Sequence, residues 1–264
     1  MKIGIHLNAF TKNITLEEQI RLMKENGFST TFCMANKENV DEVIETVQRA
    51  GIAFENLHAP FGKINAMWEE DEAAAQETLG ILFASVDTCA RHKIPVLVVH
   101  VSVSNPPPTI TQCGYERYDK LMEYAREKGV TIAYENTRAV GKLITIMERY
   151  EDAGFCWDIG HEFSMTRGIT YMPFYDARIV AIHLHDNEGV VGKDLHMLPF
   201  DGVVDMENAA RQLALCGYKK SIMLESSERL SDKYEDCTAE EYYRKAGVAA
   251  RRFADMVEAY KAGK

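Results

Sequence analysis

Arg178-Ile179-Val180-Ala181-Ile182-His183-Leu184-His185-Asp186 decides how this chain folds. Its apolar residues run on without alternation, the pattern of a strand covered on both faces. That favours a parallel sheet, because an antiparallel strand with one wet face alternates. At its C-terminal end the run turns into imidazoles and a carboxylate, side chains that bind metals and move protons.

Working outward, Ile94-Pro95-Val96-Leu97-Val98-Val99 reads the same way and ends at His100. Strands are predicted over 2–7, 29–35, 54–59, 95–102, 130–136, 154–159, 179–185 and 220–225. Helix-period segments lie between them. Thr15-Leu16-Glu17-Glu18 and Thr238-Ala239-Glu240-Glu241 are capping boxes that start two of these helices. Five junctions, Gly27-Phe28, Gly51-Ile52, Gly129-Val130, Gly154-Phe155 and Gly217-Tyr218, place a glycine where a helix closes left-handed before a strand. Eight strand–helix units over 264 residues, about 33 residues each, predict a single (β/α)8 TIM barrel domain over 1–264. The competing doubly wound sheet calls for a glycine-rich phosphate turn after the first strand. That position reads His6-Leu7-Asn8-Ala9-Phe10.

Composition narrows the class. The chain is 46% hydrophobic and 27% charged, ordinary for a globular protein, with a formal net charge of -10. That balance argues against nucleic acid as a partner, since backbone binding relies on Lys and Arg. The six cysteines form no CxxC pair and no disulfide framework, and are expected as reduced thiols. Met1 leads directly into a strand pattern without a signal-peptide core, and no apolar run suits a membrane span. A cytoplasmic enzyme is expected; self-association into a homo-oligomer is left open.

The metal-capable residues collect at predicted strand ends: His58, His100, Glu135, Asp158, His161, His183, His185, Asp186 and Glu225, with Asp194 and His196 in the loop after strand seven. Taken singly, each reads as a hydrogen-bonded boundary residue. In a barrel, however, the C-terminal strand ends share one mouth. Gathering so many carboxylates and imidazoles there is very costly without cations to compensate them. The donor set, lacking cysteine, suits Zn, Mn, Fe or Co in a working site rather than a structural zinc.

At this point the chain resembles the xylose isomerase-like barrel superfamily, which holds sugar isomerases and epimerases together with the endonuclease IV repair enzymes. The stretches that carry the resemblance are Asn56-Leu57-His58-Ala59-Pro60-Phe61, Tyr134-Glu135-Asn136-Thr137, Cys156-Trp157-Asp158-Ile159-Gly160-His161, Ile182-His183-Leu184-His185-Asp186-Asn187 and Asp194 through Gly202. The resemblance implies a divalent metal (Zn, Mn, Co or Fe) on Glu135, Asp158, His183 and Glu225. His183 is preferred to His185 because the family pattern has an acid three residues later, which Asp186 supplies. The fuller match to endonuclease IV implies up to three ions. His58, His100 and Glu135 would hold one, and His161, Asp194 and His196 another. The chain departs from the repair enzymes after His183 and after His58, where it reads Ala59-Pro60-Phe61.

By the same resemblance, Glu135 and Glu225 are the catalytic pair of an isomerase or epimerase. One takes the proton alpha to a carbonyl to give a metal-stabilised enediolate, and the other returns it. His161 would hold a substrate oxygen, and His58, His100, Phe61, Trp68 and His185 would contact a small sugar, sugar phosphate or polyol-like substrate. Phe10 and Trp157 are further aromatics expected near the mouth. An Arg that some ketose epimerases carry after the strand-seven ligand is missing. The alternative is a zinc phosphodiesterase acting at abasic sites, for which Arg138, Lys142, Arg167 and Lys193 are the phosphate candidates. Those four read equally well as solvated loop charges.

Overall fold

The structure, a computed structural model, describes residues 1–36, 38–103, 106–166 and 169–263. Among the described residues there are nine strands, with helices between all but β3 and β4: β1 Ile3–His6, β2 Thr30–Phe32, β3 Ala53–Phe54, β4 Leu57–His58, β5 Val96–Val99, β6 Thr131–Glu135, β7 Gly154–Asp158, β8 Ile179–His183 and β9 Ile222–Leu224. They pair in parallel in two runs, β3-β2-β1-β9 and β4-β5-β6-β7-β8. Parallel bridges between Met34 and His58 and between Leu184 and Leu224 join the two runs and close a barrel. At these seams Ala35 N–H donates to the His58 carbonyl (2.8 Å) and Leu184 N–H to that of Met223 (2.9 Å).

The single strand expected over 54–59 is thus two pieces of one stave. β3 pairs with β2, the chain shifts at Glu55-Asn56, and β4 pairs with β5. Counted as staves, the strands number eight.

The helices that cover the outside include α1 Leu16–Glu25, α2 Val40–Arg49, α3 Glu72–Arg91, α4 Gln112–Lys128, α5 Val140–Arg149, α6 Ile159–Met165, α7 Met206–Leu215 and α8 Ala239–Lys261. Both predicted N-caps form, with the Thr15 and Thr238 hydroxyls accepting from the N–H groups of Glu18 and Glu241 at 3.2 Å. The Glu18 carboxylate pairs with Arg21. Four junction glycines take positive φ as predicted, but Gly154 does not. It opens β7, where a Cβ would lie 2.4 Å from a Val180 methyl, so close packing and not a turn requires glycine there.

Alternation along the strands places the site. Val96, Val98, Ala133, Cys156 and Ala181 form a small cluster inside the barrel. Leu97, Val99, Ile132, Tyr134, Phe155 and Ile182 belong to the larger core between sheet and helices. Successive side chains point to opposite faces. Two residues beyond Val98, Ala133, Cys156 and Ala181 stand His100, Glu135, Asp158 and His183, and these therefore also face inward. His6, Phe32, His58 and Glu225 hold the corresponding inward positions on the other staves. The His6, Phe32 and His183 rings stack in series, with centroids 4.8 and 4.6 Å apart.

Candidate active site

Glu135, at the end of β6, is the hub. It is fully buried. The Nε2 atoms of His58 and His100 lie 3.0 and 2.8 Å from its Oε2, and His183 Nδ1 lies 2.9 Å from Oε1. His183 Nδ1 also approaches Glu225 Oε2 at 3.3 Å. A ligand atom from each of Glu135, Asp158, His183 and Glu225 falls within a 4.8 Å group, as does one from each of His58, Glu135 and His183.

A neighbouring group gathers around Asp194. The Nε2 atoms of His161 and His196 stand 3.0 and 3.1 Å from Asp194 Oδ2. His185 joins them, its ring stacked on His196 at 4.1 Å and its Nε2 3.1 Å from Asp158 Oδ1. That placement depends on Gly160, where a Cβ would fall 2.0 Å from the His185 ring.

Local structure aims these groups. Asp158 caps α6 by accepting from His161 N–H, so one carboxylate both faces the centre and orients the helix that carries His161. Asn136 exchanges two 2.7 Å hydrogen bonds with the Asp158 backbone and locks β6 to β7 above their ladder. Asp186 accepts from the N–H groups of Asn187, Gly202 and Val204, and so ties down both ends of the loop that presents Asp194 and His196. His196 sits at φ +43°, a strained conformation for a residue with a Cβ, of the kind that collects at functional sites.

Electrostatically the centre is a set of acids answered by imidazoles. Burial opposes charge on every member. At Glu135 burial is outweighed by His183 and His100, and at Glu225 by His183; both carboxyls are held below their ordinary range. Conversely, the surrounding acids overcome burial to hold the His161 and His183 imidazoles well above 6.5, with Cys156, Glu225 and Glu135 acting on His183. His196 is raised to about 9, chiefly by Asp194. At His100 burial prevails and lowers the pKa.

This arrangement fits a divalent metal. Asp158 Oδ2 and Asp194 Oδ1 are buried without a hydrogen-bond partner. Among the described residues no Lys or Arg forms an ion pair with Glu135, Asp158, Asp194 or Glu225. Oxygen and imidazole donors converging at this spacing suit Zn, Mn, Fe or Co.

Above the centre opens a cavity of about 200 Å³, lined by His58, His100, Glu135, His161, Asp194, His196 and Glu225 together with Phe61, Ser102, Val103, Thr137, Arg138 and Met165. Phe61, expected to contact substrate, lines the cavity and stacks on His100 at 4.5 Å. Trp68, expected to contact substrate, does not line it. It is buried in the core, where its N–H donates to the Val101 carbonyl at 2.8 Å. Phe10 and Trp157 are also core residues, Trp157 with its N–H on Glu162. His185, expected to contact substrate, lies fully buried and off the lining. Lys142 does not reach the mouth either. Its ammonium sits 3.9 Å from the centre of the Trp68 ring, and burial lowers its pKa to about 8. Lys193 is exposed beside Glu188, and Arg167 lies outside the described residues.

Sequence reading missed Ser102, Val103, Thr137 and Met165. The first three follow the strand-end ligands His100 and Glu135 by two or three residues, and that offset was the available signal. Met165 is placed by the course of α6 alone.

Comparison with known proteins agrees with this geometry. The sequence model of the xylose isomerase-like TIM barrel family matches residues 20–247. An uncharacterized protein, y4fM, of Sinorhizobium fredii (strain NBRC 101917 / NGR234) is 25% identical over 286 residues, covering 92% of this chain and 89% of its own. Among solved structures, the D-psicose 3-epimerase of Clostridium cellulolyticum H10, with D-tagatose, superposes at a TM-score of 0.78 with 12% identity, covering 97% of this chain and 99% of that one. The IolI protein with a bound zinc atom superposes at 0.75 with 18% identity, covering 98% and 99%. At these identities the structural likeness speaks for the fold.

Proposed function

The chain belongs to the xylose isomerase-like TIM barrel family, and we propose that within it the protein is a divalent-metal-dependent isomerase or epimerase of a small sugar, sugar phosphate or polyol-like substrate. One observation carries this reading. The four-residue group Glu135, Asp158, His183 and Glu225 lies at the foot of a small cavity, and its two glutamates line that cavity.

A divalent ion on those four residues would supply Lewis acidity to a substrate carbonyl and the hydroxyl beside it. Glu135 and Glu225 then divide the proton transfer. One carboxylate accepts the proton alpha to the carbonyl, and the other, after taking up a proton from solvent, delivers it to the opposite face or to the neighbouring carbon. His58 and His100 position Glu135 through hydrogen bonds to one of its oxygens. His161, with Nδ1 on the Asn136 carbonyl and Nε2 on Asp194, lines the cavity and would hold a substrate oxygen through Nε2, shared with Asp194. Phe61 offers an apolar wall. All six cysteines are free, and among the described residues no helix is long and apolar enough to cross a membrane.

The second reading, a phosphodiesterase acting at abasic sites, draws on the convergence of His58, His100, His161, Asp194 and His196 around the same four residues. A charge of -10 and a cavity of about 200 Å³ weigh against a duplex as substrate. Metal-loaded protein should exchange the proton alpha to a ketose carbonyl with solvent deuterium, lose that exchange with chelator, and leave a duplex carrying an abasic site uncut at low salt. Efficient metal-dependent nicking without exchange on any ketose would reverse the choice.

A further inference from the structure

The wall of the cavity is electrically one-sided. Its floor carries Glu135, Asp194 and Glu225 among histidines, and Arg138 is the one Lys or Arg that lines it among the described residues. The acids of the floor are engaged by imidazoles, and no ion pair ties Arg138 to any of them. Its guanidinium reaches the Met165 sulfur at 4.0 Å. An arginine has five N–H donors and no means of losing its charge at ordinary pH. Here they stand beside a site otherwise built of acids and the imidazoles that engage them.

We propose that the substrate carries a terminal oxyanion, a phosphate ester or a carboxylate, that Arg138 binds; this rests on the sugar isomerase function proposed above.

The segment that carries Arg138 is anchored to the reacting centre. Glu135 and Asn136 are fully buried, Asn136 is hydrogen-bonded twice to the Asp158 backbone, and the buried Thr137 hydroxyl donates to the Ser102 carbonyl at 3.5 Å. The Arg138 Cα therefore stands at most about 10 Å from that of Glu135. A side chain on so fixed a base reaches the end of a five- or six-carbon substrate whose carbonyl carbons lie over Glu135 and Glu225.

A local cation is also what an anionic substrate needs on this protein. With a net charge of -10, the chain's overall field disfavours anions, and a fixed positive charge at the cavity wall, away from the metal-binding floor, offsets that for the far end of a substrate. The guanidinium fork matches the geometry of phosphate and carboxylate oxygens. A merely solvated rim charge would give no such selection.

The test uses full-length, metal-loaded protein and calorimetric binding of matched probes: fructose, fructose 6-phosphate and the corresponding hexuluronate, with a short abasic duplex alongside. Solvent deuterium exchange is read on the same samples. The native protein should bind at least one anionic ketose about tenfold or more tighter than fructose, and whichever anion is preferred separates phosphate from carboxylate. Arg138→Met should bring the ratio close to one, and Arg138→Lys should keep part of it. Arg138 is exposed, so both variants should fold, as unchanged melting temperature and metal content will show. Equal binding of charged and neutral ketoses, a preference that survives Arg138→Met, or binding of the duplex alone would overturn the oxyanion site. An Arg138-dependent preference without exchange on any ketose would support the oxyanion site and count against the isomerase. Exchange without the preference would do the reverse.

Discussion

Metal uptake by this protein should release protons, and their number should report how many ions it takes. Without metal, the acids of the centre push His161 and His183 well above 6.5 and His196 to about 9, which favours the doubly protonated imidazole at each. A metal ligand must be a neutral imidazole, so binding has to expel that proton. An ion on Glu135, Asp158, His183 and Glu225 displaces the His183 proton, which predicts release of about one proton. A second ion on His161, His185, Asp194 and His196 displaces those of His161 and His196 as well, for about three in all. Affinity at the first site should rise about tenfold per pH unit while His183 remains protonated in the apo protein, equivalent to about 1.4 kcal/mol per unit. Apo stability has the opposite slope. The raised histidines stabilise the apo fold fully below their unfolded pKa near 6.5, and His196 loses its contribution as pH rises through about 9. The gap in melting temperature between holo and apo protein should widen across that interval. Calorimetric titration in buffers of different ionisation enthalpy counts the protons directly. Affinity that stays level between pH 6 and 8, with no proton released, would refute this account of how the acids are balanced.

Other outcomes follow from single contacts. Glu225→Gln keeps the shape but removes a negative ligand and one of the two acid/base groups. Metal affinity should fall by at least about tenfold, and exchange at saturating metal by about 10²-fold or more; full metal content with full turnover would remove Glu225 from the site. His183→Ala should abolish occupancy of the four-residue group, whereas His185→Ala should spare it and weaken only the group around Asp194. Metal analysis of the two variants decides, and the reverse order would show that the wrong histidine was chosen. Gly160→Ala removes no ligand residue, yet its methyl would meet the His185 ring at 2.0 Å and crowd both ring nitrogens. Loss of the later, larger proton release with the first retained is expected, and an unchanged titration would show that the His185 ring position is immaterial.

Much of this was legible in the sequence because barrel strands are periodic. The apolar runs marked staves buried on both faces, and the ligands stood where those runs ended. Alternation then turned Glu135, Asp158 and His183 inward without reference to any distant residue. Local capping chemistry at Thr15 and Thr238 was readable for the same reason, since the partner lies three residues away. Three features needed the tertiary structure. The third stave changes partner at Glu55-Asn56, because its neighbours come from β2 on one side and β5 on the other. Trp68, an aromatic close after a ligand-bearing strand, turned out to be core, since which side of η1 (Ile64–Trp68) is covered depends on packing against Val101 and Lys142. The assignment of His185 to the Asp194 group, and of Arg138 to the cavity wall, likewise rests on contacts between segments far apart in sequence. Periodicity reports which face a side chain takes on its own element; only closure of the barrel decides what stands opposite that face.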